Sequence, residues 1–109
     1  MSVSILSLNN GSLDTNDENV VAPSLTKTTI VKTLRFVNVG SNTATLDVRF
    51  VGTGGTSRLL PLVPLSPGFS VVVDEEITLG ANNTDKIVGK ATGTSPSVDF
   101  VVSGVQRDA

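Results

Sequence analysis

Apolar and polar residues alternate along short segments of this chain, and clusters of Gly, Asn, Asp and Pro separate the segments. In the clearest segment the apolar side chains occupy every second position, at Ala44, Leu46, Val48 and Phe50. Val98, Phe100 and Val102 repeat the pattern near the carboxyl end. A period of two residues is typical of β-strands that turn one face towards a core. The whole pattern predicts about seven or eight strands and no helix longer than a turn.

The segment Thr26–Val39 is predicted to form one long strand with an irregularity. Ile30, Leu34 and Phe36 share a face, but Lys32 falls on the same face. A β-bulge near Lys32 resolves this conflict, because one extra residue reverses the alternation of the side chains. The Asn-Val-Gly sequence that ends the segment predicts a tight turn into the next strand.

The amino-terminal part of the chain is more polar. Ser2–Leu8 predicts a strand, and Asn9–Asn19 predicts a loop that is too hydrophilic to pack. We therefore divide the chain into an amino-terminal arm and polar loop, residues 1–24, and a β-sandwich domain, residues 25–109. The arm is expected to become ordered on binding a partner. The strand spacing predicts an all-β fold, an antiparallel two-sheet sandwich that is immunoglobulin-like or, as the alternative, jelly-roll-like.

The segment Leu59–Gly68 combines leucines with three prolines. Because a proline lacks the N–H that a central strand donates, the segment is predicted to be an edge strand or a crossover, and Pro67-Gly68 to turn the chain into Phe69. The apolar residues fit either a buried crossover or an exposed docking surface. If they are exposed, they form the partner interface, with Leu59, Leu60, Leu62, Val63 and Leu65.

The composition removes most catalytic and cofactor chemistry. The chain has no Cys and no His, so it lacks thiolate nucleophiles, the commonest metal ligands and the commonest general base. It also has no Trp or Tyr, which dominate sugar platforms and base-stacking surfaces. We therefore predict that the protein is not an enzyme and holds neither a cofactor nor a metal.

Charge and hydropathy argue against two classes of partner. The formal net charge is −2, which gives little attraction for nucleic acid or anionic lipid. No segment approaches the roughly 20 apolar residues of a membrane span, and the amino terminus lacks the basic region of a signal peptide. We expect neither nucleic acid nor a membrane as partner, and a protein made in the cytoplasm without export.

Three sets of charged residues have weaker functional interpretations. Asp14–Glu18 resembles the start of a calcium loop, but Gly is missing from its sixth position and Leu25 stands at the twelfth. Asp74–Glu76 could also attract a cation, although adjacent carboxylates at a strand junction mostly stay solvated. Four basic residues could form a patch on one sheet face, at Lys32, Arg35, Arg49 and Arg58. Solvated surface groups are the favoured interpretation throughout, and calcium binding stays open.

Three segments between residues 28 and 104 carry a family resemblance. They are the strand–turn–strand unit Thr33–Val48, the turn segment Leu65–Ser70 and the later segment Asp85–Ala91. Their order resembles that of small immunoglobulin-like structural proteins of tailed bacteriophages, of the head decoration or cement type. The resemblance implies a virion protein, assembled in the host cytoplasm, that binds the major coat protein or another virion protein. It also implies a homo-oligomer, with a trimer favoured, and leaves a neck or tail position as the alternative.

Two other functions stay open on the sequence. A carbohydrate- or ligand-binding sandwich module requires Phe69 or Phe100 to be exposed beside polar loops. A calcium-dependent adhesion module requires the fold to be stabilised by calcium.

Overall fold

The structure is a computed structural model that describes the backbone of residues 3–108 and the side chains of residues 8–108. Ser2, where the first predicted strand begins, and Ala109, where the predicted domain ends, lie outside the described residues. Residues 3–108 form ten strands: β1 (Val3–Leu13), β2 (Glu18–Val21), β3 (Lys27–Asn38), β4 (Ala44–Gly52), β5 (Gly55–Arg58), β6 (Val63–Leu65), β7 (Ser70–Val73), β8 (Ile77–Leu79), β9 (Lys86–Thr92) and β10 (Val98–Asp108).

The strands build two antiparallel sheets. Sheet A has the order β1-β10-β3-β7, with β8 also paired to β3, and sheet B has the order β2-β9-β4-β5, with β6 also paired to β4. β7 and β8 pair with different parts of β3, and β5 and β6 with different parts of β4. Each of these couples is therefore one edge strand with an interruption.

The order of pairing identifies the kind of sandwich. With each interrupted edge counted as one strand, the chain has eight strands within residues 3–108. In sheet A the first strand pairs with the eighth and the third with the sixth, and in sheet B the second pairs with the seventh and the fourth with the fifth. This nested pairing is that of a jelly roll. The predicted antiparallel two-sheet sandwich is confirmed, and its strand order is that of the jelly-roll alternative.

The core lies between the two sheets, where the predicted inward faces meet. Leu46 and Val48 of β4 and Val102 of β10 are fully buried. Phe36 and Phe100 are also buried, on adjacent strands of sheet A, with ring centroids 6.5 Å apart. The alternation predicted for β4 and β10 is confirmed, since the apolar set of each strand faces the core.

The predicted bulge near Lys32 is confirmed by the register between β3 and β10. Ser103 pairs with Thr33 and Gly104 with Val31, so Lys32 is the extra residue. Before the bulge the inward residues are Thr29 and Val31. The prediction that Ile30 shares the inward face was wrong, because the bulge shifts the alternation by one residue.

The amino-terminal segment is more regular than predicted. β1 continues to Leu13, whose side chain is buried, and a side chain at Gly11 would come within 3.2 Å of the Phe100 ring. The prediction of a loop over Asn9–Asn19 was therefore wrong at both ends, and the segment between β1 and β2 is residues 14–17. Strands on both sides of the predicted boundary after residue 24 pair in the same two sheets, and ordering of the arm on binding stays a prediction.

Candidate functional site

Three of the connections at one end of the sandwich form what we call the loop end: residues 39–43, 66–69 and 93–97. Backbone hydrogen bonds join the three connections. Val39 and Gly40 both donate to the carbonyl oxygen of Ser97, at 3.0 and 3.2 Å. Asn38, the last residue of β3, donates to the carbonyl of Phe69 at 3.0 Å and accepts from Gly68 at 2.8 Å. The loop end is therefore a cross-linked unit.

The buried side chain of Asn38 stabilises this unit from the interior of the sandwich. It is fully buried, and its Nδ2 donates to the carbonyl oxygens of Leu65 at 2.7 Å and Asn42 at 2.9 Å. Its Oδ1 accepts a hydrogen bond of 2.9 Å from the N–H of Gly40. A buried amide with these bonds fixes the relative position of two connections. This role of Asn38 was not predicted from the sequence, although the Asn-Val-Gly turn was the signal for it.

The turn Ser66–Phe69 presents the most conspicuous side chain of the loop end. Phe69 donates its N–H to the carbonyl of Ser66 at 3.0 Å, and Gly68 has a φ of +80°. Proline at the second position and a positive φ at the third are the marks of a type II turn, in which glycine is favoured at the third position. The predicted turn at Pro67-Gly68 is thus confirmed, and it delivers Phe69 to the surface.

Two apolar side chains of the loop end face solvent. Phe69 is 66% exposed and Val39 is 54% exposed, while Phe100 is buried in the core. The neighbouring Asn38–Phe69 hydrogen bond brings the two exposed residues close in the fold. Because hydrogen bonds fix the backbone that carries these side chains, little conformational entropy is lost when a partner covers them. This arrangement is suited to binding a surface.

The five residues predicted as a partner interface differ in burial. Leu65 is buried in the core, and Leu59 and Leu60 are partly buried against it. Val63 is partly buried, and Leu62 is 57% exposed. The segment lies at the edge of sheet B, since β6 pairs there with β4, which confirms the edge position that its prolines predicted. Of the five, Leu62 is the residue that is placed to contact a partner.

The acidic segments are engaged in local contacts. In residues 14–18, Asp14 accepts a hydrogen bond of 2.8 Å from the N–H of Asn16, and Asp17 forms an ion pair with Arg49. In residues 74–76, Glu76 forms an ion pair of 2.6 Å with Lys32. Within residues 3–108 there is no group of three or more acidic residues that could hold a metal ion.

The four basic residues predicted as a patch are divided between the sheets. Lys32 and Arg35 lie on β3 of sheet A, whereas Arg49 and Arg58 belong to β4 and β5 of sheet B. Asp47 of sheet B contacts both Arg49 and Arg58, at 3.4 and 2.7 Å. The structure therefore does not bring the four cations together.

The described residues also include no helix that is long and apolar enough to cross a membrane.

The backbone resembles part of a viral particle chain. In the crystal structure of the T13 viral particle of infectious bursal disease virus, one chain matches with a TM-score of 0.60 and 12% sequence identity, over 98% of this chain and 31% of that chain. Structures of the Gx and Gt strains of the same virus match with TM-scores of 0.48 and 0.44, at 14% and 12% identity, over 96% of this chain and 32% and 31% of theirs.

These matches concern the fold. The chain spans about a third of the length of the viral chains it matches, and the identities are low. No protein-family model matches the sequence, and the search of the curated proteins finds no match.

Proposed function

We propose that this chain is a non-enzymatic virion structural protein, a capsid decoration or cement protein that binds the coat lattice and stabilises it. The observation that carries the proposal is the loop end, a fixed apolar surface formed by Phe69 and Val39. The jelly-roll fold supports it, because a chain of a viral particle has a domain of the same fold. The partner is the major coat protein or another virion protein, and the location is the virion.

Phe69 is the central contact of the proposed binding surface. Aromatic side chains supply large contact area at low entropic cost, and they dominate the binding energy of many protein interfaces. Val39 follows Asn38, which is hydrogen-bonded to the Phe69 carbonyl, and the polar residues of the surrounding turns can hydrogen-bond to the coat. Asn38 acts indirectly, since its buried hydrogen bonds hold the connections that carry both apolar residues.

The proposal makes the chain a stoichiometric component of virus particles. Mass spectrometry of particles purified from the source of the sequence gives the number of copies relative to the major coat protein. Decoration of the lattice requires on the order of hundreds of copies per particle, because each coat subunit or group of subunits offers a site. A number on the order of a dozen would instead place the chain at the neck or tail. Absence from the particles would contradict the virion proposal.

Binding of the purified chain to particles tests the proposed surface. Replacing an aromatic anchor by alanine typically costs about 2 kcal/mol or more, so Phe69→Ala is expected to weaken binding roughly 30-fold. Leu25→Ala is the matched control, because Leu25 is 71% exposed and lies between β2 and β3, at the other end of the sandwich. Co-sedimentation with particles measures both. Equal affinities of the Phe69→Ala variant and the wild type would remove the loop end as the contact.

Leu62 extends the proposed contact along the edge of sheet B. It is the exposed member of the five residues predicted from the sequence, and the same co-sedimentation assay tests it. A loss of affinity in the Leu62→Ala variant supports a contact that reaches beyond the loop end, and an unchanged affinity confines the contact to Phe69 and Val39. The family resemblance favours a trimer; coat binding through the loop end does not depend on it, and the mass of the free protein distinguishes a trimer from the dimer inferred below.

Carbohydrate or ligand binding is the second candidate, and the exposure of Phe69 favours it. Phe69 ends the turn that begins at Ser66 and precedes Ser70, the first residue of β7, and both serines are exposed. An exposed ring near polar residues is what such a module requires. A glycan array with the wild type and the Phe69→Ala variant tests this candidate. Binding of a sugar by the wild type alone, together with absence of the chain from particles, would replace the virion proposal.

A further inference from the structure

The outer faces of the two sheets differ in chemistry. On sheet B, Asp47 pairs with two arginines and lies opposite Lys90 of β9. On sheet A, the outer face has Val72 50% and Val101 48% exposed and Val37 partly buried, beside the polar residues Thr33, Arg35, Asp99 and Ser103. Exposed sheet faces of soluble proteins are normally polar, so the valines are an apolar departure at the centre of this face.

Four side chains form a square at the centre of this face. The register pairs Asp99 of β10 with Val37 of β3, and Val101 of β10 with Arg35 of β3. All four point away from the core, because the residues between them, Phe36 and Phe100, are buried. Asp99 and Arg35 therefore occupy one diagonal of the square and the two valines occupy the other. Each diagonal is about 8 Å long for ordinary strand spacing.

The two charges of the square lack an ionic partner within the described part of the chain. Arg35 is exposed and has no carboxylate within ion-pair distance there. Asp99 accepts a hydrogen bond of 2.6 Å from the hydroxyl of Ser12 on β1. The face thus carries one cation and one anion at its centre, and both are available to a second molecule.

We infer that this face binds a second copy of the chain across a two-fold axis that runs along the Val37–Val101 diagonal. Rotation about that axis places Arg35 of one copy over Asp99 of the other, and the reciprocal pair forms by symmetry. Each valine then lies against its own equivalent on the axis. For ordinary strand spacing, the strands of the two copies cross at about 70°, closer to orthogonal than to aligned sheet packing.

The size of the face sets the strength of this contact. Four strands at ordinary spacing make the face about 19 Å wide, so two copies whose strands cross at about 70° overlap over roughly 400 Å² on each copy. Specific interfaces bury about 600–1,000 Å² on each partner. The overlap is below this range, and we expect a weak dimer whose dissociation constant is about 0.1–1 mM. The inference is independent of the proposed coat binding, which uses the loop end.

Sedimentation velocity of the free protein over about 10 µM to 1 mM tests the inference, because the expected affinity falls in this range. The wild type is expected to shift with concentration from the monomer mass of 11.3 kDa to twice that mass. The single variants Arg35→Glu and Asp99→Lys each place like charges opposite one another, and each is expected to raise the dissociation constant at least about tenfold. The double variant Arg35→Glu/Asp99→Lys exchanges the charges and is expected to restore the dimer.

Arg107→Glu provides the matched control. Arg107 lies on β10 as well, but it pairs with Thr28 at the far end of the sheet, outside the area that the two-fold axis brings together. The same charge change there is expected to leave the dimer unchanged. Far-UV circular dichroism checks that every variant is folded.

Three outcomes would overturn the inference: a wild type that stays monomeric throughout, a wild type that forms trimers, or a double variant that stays as weak as the single ones. A failure of the dimer inference leaves the proposal of coat binding unaffected, since the binding of the Phe69→Ala variant to particles tests that proposal separately.

Discussion

Replacement of Asn38 by alanine should be among the most destabilising polar substitutions in the protein. The side chain is fully buried and makes three hydrogen bonds, of 2.7, 2.9 and 2.9 Å. Alanine leaves the Leu65 carbonyl without that partner in the interior, which costs about 1–3 kcal/mol. The Asn42 carbonyl and the Gly40 N–H are only partly buried, so water can replace part of what they lose, at about 0.5 kcal/mol each.

The expected total is a loss of about 2–4 kcal/mol in the free energy of unfolding, a large share of the ordinary stability of a small domain. For a domain of this size it corresponds to a fall of about 9–17 °C in the melting temperature. Urea unfolding followed by far-UV circular dichroism is the suitable assay, because the chain has no Trp or Tyr for fluorescence. The slope of the transition should stay unchanged, so that the midpoint carries the effect.

Asn42→Ala is the control for this experiment. The Asn42 side chain is exposed and donates one hydrogen bond of 3.0 Å to the Thr94 carbonyl, so its loss should cost no more than about 1 kcal/mol. Asn38→Asp should destabilise at least as much as the alanine variant, because it places a carboxylate oxygen against two carbonyl oxygens. If Asn38→Ala proves no more destabilising than Asn42→Ala, the argument that Asn38 holds the loop end is refuted.

Two further predictions concern the core and the bulge. Gly104→Ala should abolish folding or cost more than about 3 kcal/mol, because a Cβ there would lie 2.1 Å from the Ile30 carbonyl oxygen. Gly54→Ala is the control, since a Cβ at Gly54 has no atom within 4 Å, and thermal melts should show it to be harmless. Leu65→Ala should cost about 2–4 kcal/mol in urea unfolding, whereas Leu62→Ala should change stability by no more than about 0.5 kcal/mol. Equal effects of the two leucine substitutions would contradict the assignment of Leu65 to the core.

The alternation of apolar residues was sufficient to predict the strands that face the core on one side. It located β4 and β10 and their inward residues, because both strands are regular and half-buried. It assigned Ile30 to the wrong face. The position of the bulge at Lys32 was predicted, but its effect on the residues before it was not. The residues 9–13 were missed because Asn9, Asn10 and Gly11 have the composition of a loop. β1 is an edge strand, however, and only some of its residues need to be apolar.

The candidate site was predictable only in part. The turn at Pro67-Gly68 followed from local chemistry, since proline and glycine fix the dihedral angles of a type II turn. The exposure of Phe69 did not follow, because burial depends on which strands become neighbours, and alternation within one strand does not determine this. The same reason explains the predicted interface at Leu59–Leu65, whose residues the structure distributes between the core and the surface.

The fate of the four basic residues shows what the strand order adds to the composition. A nucleic-acid surface needs several unneutralised cations on one face, yet Lys32 pairs with Glu76 and the two arginines of sheet B pair with Asp17 and Asp47. Of these four, Arg35 has no carboxylate within ion-pair distance among the described residues. One cation at the centre of the outer face of sheet A, beside valines and an aspartate, attracts polyanions weakly but matches a surface with one carboxylate in the same setting. The outer face of sheet A is itself such a surface, which is why a second copy of the chain is the partner that its chemistry fits.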